Sequence, residues 1–166
     1  MCSSDLKVYG YCRVSTEGQA ADGVSLEAQA AKIQAWAALN DAEVVGVWTD
    51  AGLSGGRADN RPQLQACLEA VTAAGGTLVI YSLSRLSRST ADTLAITARL
   101  EKAGAEFVSL SEKIETGSAA GRMVFRMLSV LNEFDRDQIA ERTRAAMQFK
   151  KSKGEDRKST RLNSSH

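Results

Sequence analysis

Short segments of alternating apolar and polar residues recur along the chain, separated by longer stretches with apolar positions every three or four residues. Lys7–Val14 alternates and is rich in Val and Tyr, which predicts a strand. After a Gly-bearing loop, Ser25-Leu26-Glu27-Ala28 opens an alanine-rich helix to about Leu39, with Ser25 as N-cap and Glu27 in the first turn. Ala42–Thr49 reads as a second strand ending at Asp50, and the Gly-rich, polar stretch Ala51–Asn60 as a loop. Pro62, the only proline, stands at the favoured first position of a helix to about Thr72, which Gly75-Gly76 ends. Thr77–Tyr81 is a third strand, a helix capped by Ser89 or Thr90 runs to about Ala103, and Glu106–Leu110 is a fourth strand. From about Ala120 to Lys153 one helical pattern continues without proline, and without glycine after Gly121.

Strands alternating with helices predict an α/β fold. The sheet is mainly parallel, of four or five strands, with helices on both faces, and a long C-terminal helix follows. In such sheets the site lies beyond the carboxyl ends of the strands. Ser15, Asp50 and the segment Ser84–Arg88 all follow strands at that end. The expected organisation is an α/β domain over 7–119 and the long helix over 120–154. Residues 1–6 and 155–166 lack usable periodicity and are expected to be disordered. Both ends resemble translated sequencing-adapter DNA, which would start the natural chain just before Lys7 and continue it beyond Gly154.

Bulk composition changes this picture little. The 166 residues are 43% hydrophobic and 25% charged, ordinary for a globular protein. No apolar run approaches the ~20 residues of a membrane helix, and the N-terminus lacks a signal-peptide layout. The location expected is cytoplasmic, with no membrane partner. Cys2, Cys12 and Cys67 form no CxxC pair, so neither a zinc site nor a disulfide framework is indicated. Cys12 and Cys67 read as small buried hydrophobes. The net charge is only +1, yet basic residues gather around Arg85 and Arg88 and again along Arg122–Lys153, where they form patches able to bind phosphate.

The candidate chemistry centres on Ser15. The one histidine, His166, is the last residue, which disfavours a Ser-His-Asp triad and favours chemistry on a phosphate. Arg13, two residues before Ser15, shares its face in an extended strand. Arg85 and Arg88 are three apart and neighbour each other on a turn or helix. Taken singly, each is an ordinary turn serine or solvated arginine. Together, planar guanidinium forks around a hydroxyl would hold a phosphodiester and neutralise the charge that develops on attack.

Gly10-Tyr11-Cys12-Arg13-Val14-Ser15-Thr16 resembles the nucleophile motif of the serine site-specific recombinases, the family of resolvases, invertases, phage integrases and transposon recombinases. The resemblance covers about Lys7–Gly154 and implies their N-terminal catalytic domain. It puts Ser15 in the attacking role with Arg13 beside it, and Gln19 and Gln29 at two active-site glutamines. Asp50 matches an acidic position ending strand two, and Arg61 a further active-site arginine. Ser84-Arg85-Leu86-Ser87-Arg88 resembles the paired-arginine motif at the scissile phosphate, and Asn132-Glu133-Phe134-Asp135-Arg136 the acid-plus-arginine motif of the long helix. Two positions depart from the pattern. Ser84 stands where many members carry Asp, leaving the general acid unassigned, and Asp135 stands where Glu is frequent.

What the resemblance implies is concrete. Ser15 forms a 5′-phosphoserine link to double-stranded DNA and releases a 3′-OH; strand exchange and religation follow. The ester retains the bond energy, so no ATP is expected, and because arginines can supply the electrostatics no metal or other cofactor is expected. The predicted long helix would span about 50 Å at ~1.5 Å per residue, with Met123, Val124, Met127, Leu128, Val130, Leu131 and Phe134 in its first half. It is expected to join subunits, as a homodimer and as a tetramer in the synaptic complex. Arg122, Arg126, Arg142, Arg144, Lys150, Lys151 and Lys153 would contact the DNA backbone without specifying bases. The alternative is a recombinase-like DNA-binding and dimerisation module that does not cut. A small-molecule phosphate binder fits less well, because Glu17-Gly18-Gln19 makes a poor phosphate cradle.

Overall fold

The computed structural model describes residues 5–14, 24–52 and 61–162, with side chains as far as 154. Five strands form one sheet: β1 (Lys7–Val14), β2 (Glu43–Ala51), β3 (Thr77–Ile80), β4 (Glu106–Ser109) and β5 (Ile114–Glu115). Their order is β2-β1-β3-β4-β5, parallel except for the antiparallel β4–β5 pair. The helices are α1 (Leu26–Leu39), α2 (Pro62–Ala74), α3 (Leu83–Leu86), α4 (Thr90–Lys102) and α5 (Ala119–Leu162).

Both faces of β1 are covered, and its seven residues after Lys7 are buried. Tyr9 and Tyr11 point into one core with Leu64, Leu68, Leu78 and Phe107. Val8 and Cys12 point into the other with Ile33, Ala37, Val79 and Val108. Residue type follows from this layering. On α2, Leu64, Cys67, Leu68 and Val71 make one helical stripe against the first core. A Cβ at Gly10 would meet Val47 at 3.1 Å and Ile33 at 3.2 Å, so glycine lets α1 close down on β1.

The local punctuation works as the sequence predicts. Ser25 caps α1 by accepting from the Ala28 amide at 3.2 Å, and Ser89 caps α4 through Asp92 at 3.3 Å. Gly75 ends α2 in the left-handed conformation, φ 69°. Two elements go beyond the prediction. The one-turn α3 and the two-residue β5 are too short to show a period of their own. The long helix also differs, continuing past Gly154 to Leu162 through a stretch without apolar periodicity. That stretch is proline-free and rich in Lys, Arg and Glu, all good helix formers.

The chain separates into two compact units, residues 1–128 and 129–166, and α5 contributes to both. In the first unit, Phe125 of α5 packs edge-on to Phe107 with ring centroids 5.7 Å apart. Among the described residues no helix is long and apolar enough to cross a membrane.

Cys12 and Cys67 are buried and free, as the sequence suggests. Burial pushes the Cys12 thiol up to about 11 and the Cys67 thiol up to about 12. Both thiols should stay unmodified by iodoacetamide at pH 8 in the native protein and react on denaturation, as peptide mass spectrometry would show. The linkage has a definite sign. The native state holds these protons more tightly than the unfolded chain. Stability is therefore retained below the ordinary thiol pKa and declines as pH rises toward about 11.

Candidate active site

Successive connections leave the sheet in opposite directions at the β1/β3 boundary, and in open α/β sheets a ligand site lies at such a boundary, beyond the carboxyl ends of the strands. Arg13 stands near the end of β1, opposite Asp50 of β2 in the strand register. Across this boundary, β3 ends at Ile80 and the chain turns through Ser82 into α3, which carries Arg85.

Arg13 is 3% exposed and reaches over this boundary. Its Nε donates to the Arg85 carbonyl at 3.2 Å and its Nη2 to the Ser84 carbonyl at 2.8 Å. Arg61, 0% exposed, donates through Nη1 to the same Arg85 carbonyl at 3.3 Å and also to that of Leu86. Two guanidiniums thus clasp the backbone of the turn that presents Arg85 and Arg88. Nε and Nη2 of Arg61 are buried with no hydrogen-bond acceptor among the described residues. Arg85 is 3% exposed, whereas Arg88 is exposed.

The electrostatics agree with this convergence. The Arg13 guanidinium is shifted down, first by burial and then by the positive charges of Arg61, Arg85 and Arg88, with Tyr11 opposing. Like charges gathered closely enough to disturb one another make a site that an anion would stabilise.

Two further side chains hold the strand ends. Gln29 of α1, fully buried, accepts from the Arg13 amide at 3.3 Å and donates to the Arg13 carbonyl at 3.2 Å and the Val24 carbonyl at 3.1 Å. Its carboxamide therefore fixes the backbone two residues before Ser15. Asp50 accepts from the Tyr11 hydroxyl at 3.0 Å, the Gln63 amide at 3.3 Å and the Leu64 amide at 3.1 Å. Arg61, at the N-cap of α2, makes no side-chain cap, and Asp50 supplies it from β2. Desolvation raises the Tyr11 hydroxyl's pKa, Arg61 opposes that rise and Asp50 adds to it.

The structure brings together Arg13, Gln29, Asp50, Arg61 and Arg85, with Arg88 close enough for its charge to act on Arg13. Ser15 and Gln19 lie outside the described residues. Asp135 and Arg136 are exposed on α5 in the second unit. Arg126, Arg142, Arg144, Lys150, Lys151 and Lys153 are also exposed. Arg122 is exposed too, but its Nη1 closes the turn before α5 by donating to the Thr116 carbonyl at 3.2 Å and the Gly117 carbonyl at 3.0 Å. The hydroxyl of Ser84 lies 2.9 Å from that of Ser82. Sequence reasoning passes over Tyr11 as a functional residue, although it sits inside the Ser15 motif. It also passes over Glu112, which no local pattern marks.

Comparison with known proteins gives a consistent result. A family model described as "Resolvase, N terminal domain" matches residues 8–156. The DNA-invertase hin of Salmonella typhimurium is 40% identical over 99 residues, which are 60% of this chain and 52% of that protein. The transposon Tn917 resolvase of Enterococcus faecalis is 31% identical over 147 residues, 89% of this chain and 72% of the relative. The chain thus spans about half the length of the curated invertase it matches. Among solved structures, the N-terminal catalytic domain of TP901-1 integrase superposes with a TM-score of 0.72 at 36% identity, covering 80% of this chain and 98% of that one. A resolvase family site-specific recombinase from Streptococcus pneumoniae gives 0.72 at 32% identity, covering 87% and 97%.

Proposed function

The chain belongs to the resolvase N-terminal domain family, the catalytic domain of serine recombinases, and from that premise we propose that it breaks and rejoins DNA through Ser15. The observation that carries this reading is the guanidinium cluster of Arg13, Arg61, Arg85 and Arg88 at the β1/β3 boundary, with Ser15 the next residue after β1 in the sequence.

In the proposed reaction Ser15 Oγ attacks the phosphorus of a DNA phosphodiester. The Oγ–P bond forms and the bond from phosphorus to the 3′ oxygen breaks. The net movement of one proton from the serine hydroxyl to the departing oxygen yields a free 3′-OH and a 5′-phosphoserine ester. The reverse attack by a 3′-OH, after strands have exchanged, restores both groups. Charge accumulates on the phosphoryl oxygens during attack, and fixed guanidiniums are worth most where charge develops. Gln29 serves the reaction by holding the Arg13 backbone in place.

The expected partner is double-stranded DNA, contacted along the backbone by the basic residues of α5. Self-association as a homodimer, and as a tetramer during exchange, is supported by large apolar side chains left in solvent on α5. Met123 and Met127 in the first unit, and Val130, Leu131 and Phe134 in the second, are each more than half exposed.

Incubated with a nicked duplex and then denatured, the protein should migrate with a covalently attached strand, and Ser15→Ala should yield no such species. DNA binding without an adduct from the unaltered chain would favour the non-cutting module instead.

A further inference from the structure

The turn Ser82–Ser87 must hold its shape for Arg85 and Arg88 to be aimed, yet α3 has only four residues. A helix that short supplies almost none of its own stability and leaves its first amides without intrahelical partners. Its N-cap, Ser82, makes no side-chain capping bond, and its hydroxyl lies 2.9 Å from that of Ser84. The first amide, Leu83 N–H, is met from elsewhere. The Glu112 carboxylate accepts from it, with Oε1 at 3.4 Å and Oε2 at 3.3 Å.

Glu112 is itself held. The hydroxyl of Ser109, a fully buried residue at the end of β4, donates to its Oε2. The β3–β4 ladder also continues past the strand ends, through Leu110 N–H to the Ile80 carbonyl at 3.0 Å and Ser111 N–H to the Tyr81 carbonyl at 2.8 Å. These backbone bonds deliver Glu112 to the start of α3. The carbonyl end of the same turn is gripped by the cations Arg13 and Arg61. An anion on the amides and cations on the carbonyls match the polarity of the peptide groups between them.

We propose that Glu112 is a positioning residue of the reaction, fixing the amide end of the Ser82–Ser87 turn so that Arg85 and Arg88 face the phosphate. This inference rests on reading the arginine cluster as the phosphate site. Glu112 is exposed and replaceable without opening the core.

In Glu112→Ala, amide hydrogen exchange at Leu83 should quicken by about fivefold or more, while exchange at Tyr11 and Leu78 stays as in the wild type. Single-turnover formation of the Ser15–DNA adduct on a nicked duplex should slow by about 10- to 100-fold, with the DNA concentration for half-saturation unchanged. Glu112→Gln, which keeps an acceptor oxygen for Leu83, should recover part of both effects. Unaltered exchange at Leu83 overturns the contact. Faster exchange with a wild-type adduct rate overturns the positioning role. An Arg85→Ala protein that forms adduct at the wild-type rate would instead overturn the reading of the cluster, so the two failures are separable.

Discussion

Asp50→Ala should lower the unfolding free energy by about 3–4 kcal/mol, with a fall in Tm of 10 °C or more on the order expected for a domain of this size. Three donors depend on this carboxylate: the Tyr11 hydroxyl, buried in the core, and the Gln63 and Leu64 amides at the start of α2. Alanine leaves all three without their acceptor and removes a negative charge from beside buried cations. Tyr11 registers both signs, since Arg61 and Asp50 displace its pKa in opposite directions. Asp50→Asn keeps one acceptor oxygen and loses the charge, so about half the destabilisation should remain. Because Arg61 opens α2 and also grips the Arg85 and Leu86 carbonyls, damage at Asp50 should reach the arginine-bearing turn. Thermal and urea unfolding of the two variants would measure the ladder. A change below about 1 kcal/mol for Asp50→Ala would mean that the three bonds are dispensable.

That network also marks where the sequence stops being informative. β1, α1 and α2 are legible because their determinants are local: the alternation of Lys7–Val14, the Ser25 cap, Pro62 at the first position of α2 and the αL glycine Gly75. The convergence of Arg13, Asp50 and Arg85 is legible as well, because parallel topology alone puts the ends of β1, β2 and β3 side by side.

Which atom each side chain grips is not written in any period. Sequence reasoning aims Arg13 at a phosphate and, by resemblance, makes Arg61 a further active-site arginine; the structure shows both holding carbonyls of the Ser84–Leu86 turn. For Arg61 the two uses are compatible, since a guanidinium carries five donors and its Nε and Nη2 meet no acceptor among the described residues. Gln29 likewise braces backbone, a role set by its depth at the α1–β1 contact rather than by its neighbours in sequence. Glu112 is 29 residues from the amide it caps, and β5, which follows it, is only two residues long. Contacts of that kind arise from the assembled sheet.

Among the arginines, the largest catalytic effect should belong to Arg85. Arg85 is almost fully buried at the β1/β3 boundary, on a turn clasped by Arg13 and Arg61 and capped by Glu112. A group so placed cannot follow the substrate, and the substrate must come to it. Arg85→Ala should therefore slow adduct formation by about 10³-fold, near the upper end of what removing one fixed donor to a developing anion costs. Affinity for DNA should change by less than about threefold, because most backbone contacts would lie on α5 and are untouched. Arg85→Lys restores the charge but not the planar fork, and should recover no more than about tenfold. Substitution of Arg88, which is exposed, should leave a larger residual rate than substitution of Arg85. The measurement is single-turnover adduct formation at saturating DNA, paired with a binding isotherm for each variant. If Arg85→Lys reacts as fast as the wild type, a diffuse positive charge is sufficient. The oriented clasp around the Ser82–Ser87 turn would then have no bearing on the chemical step.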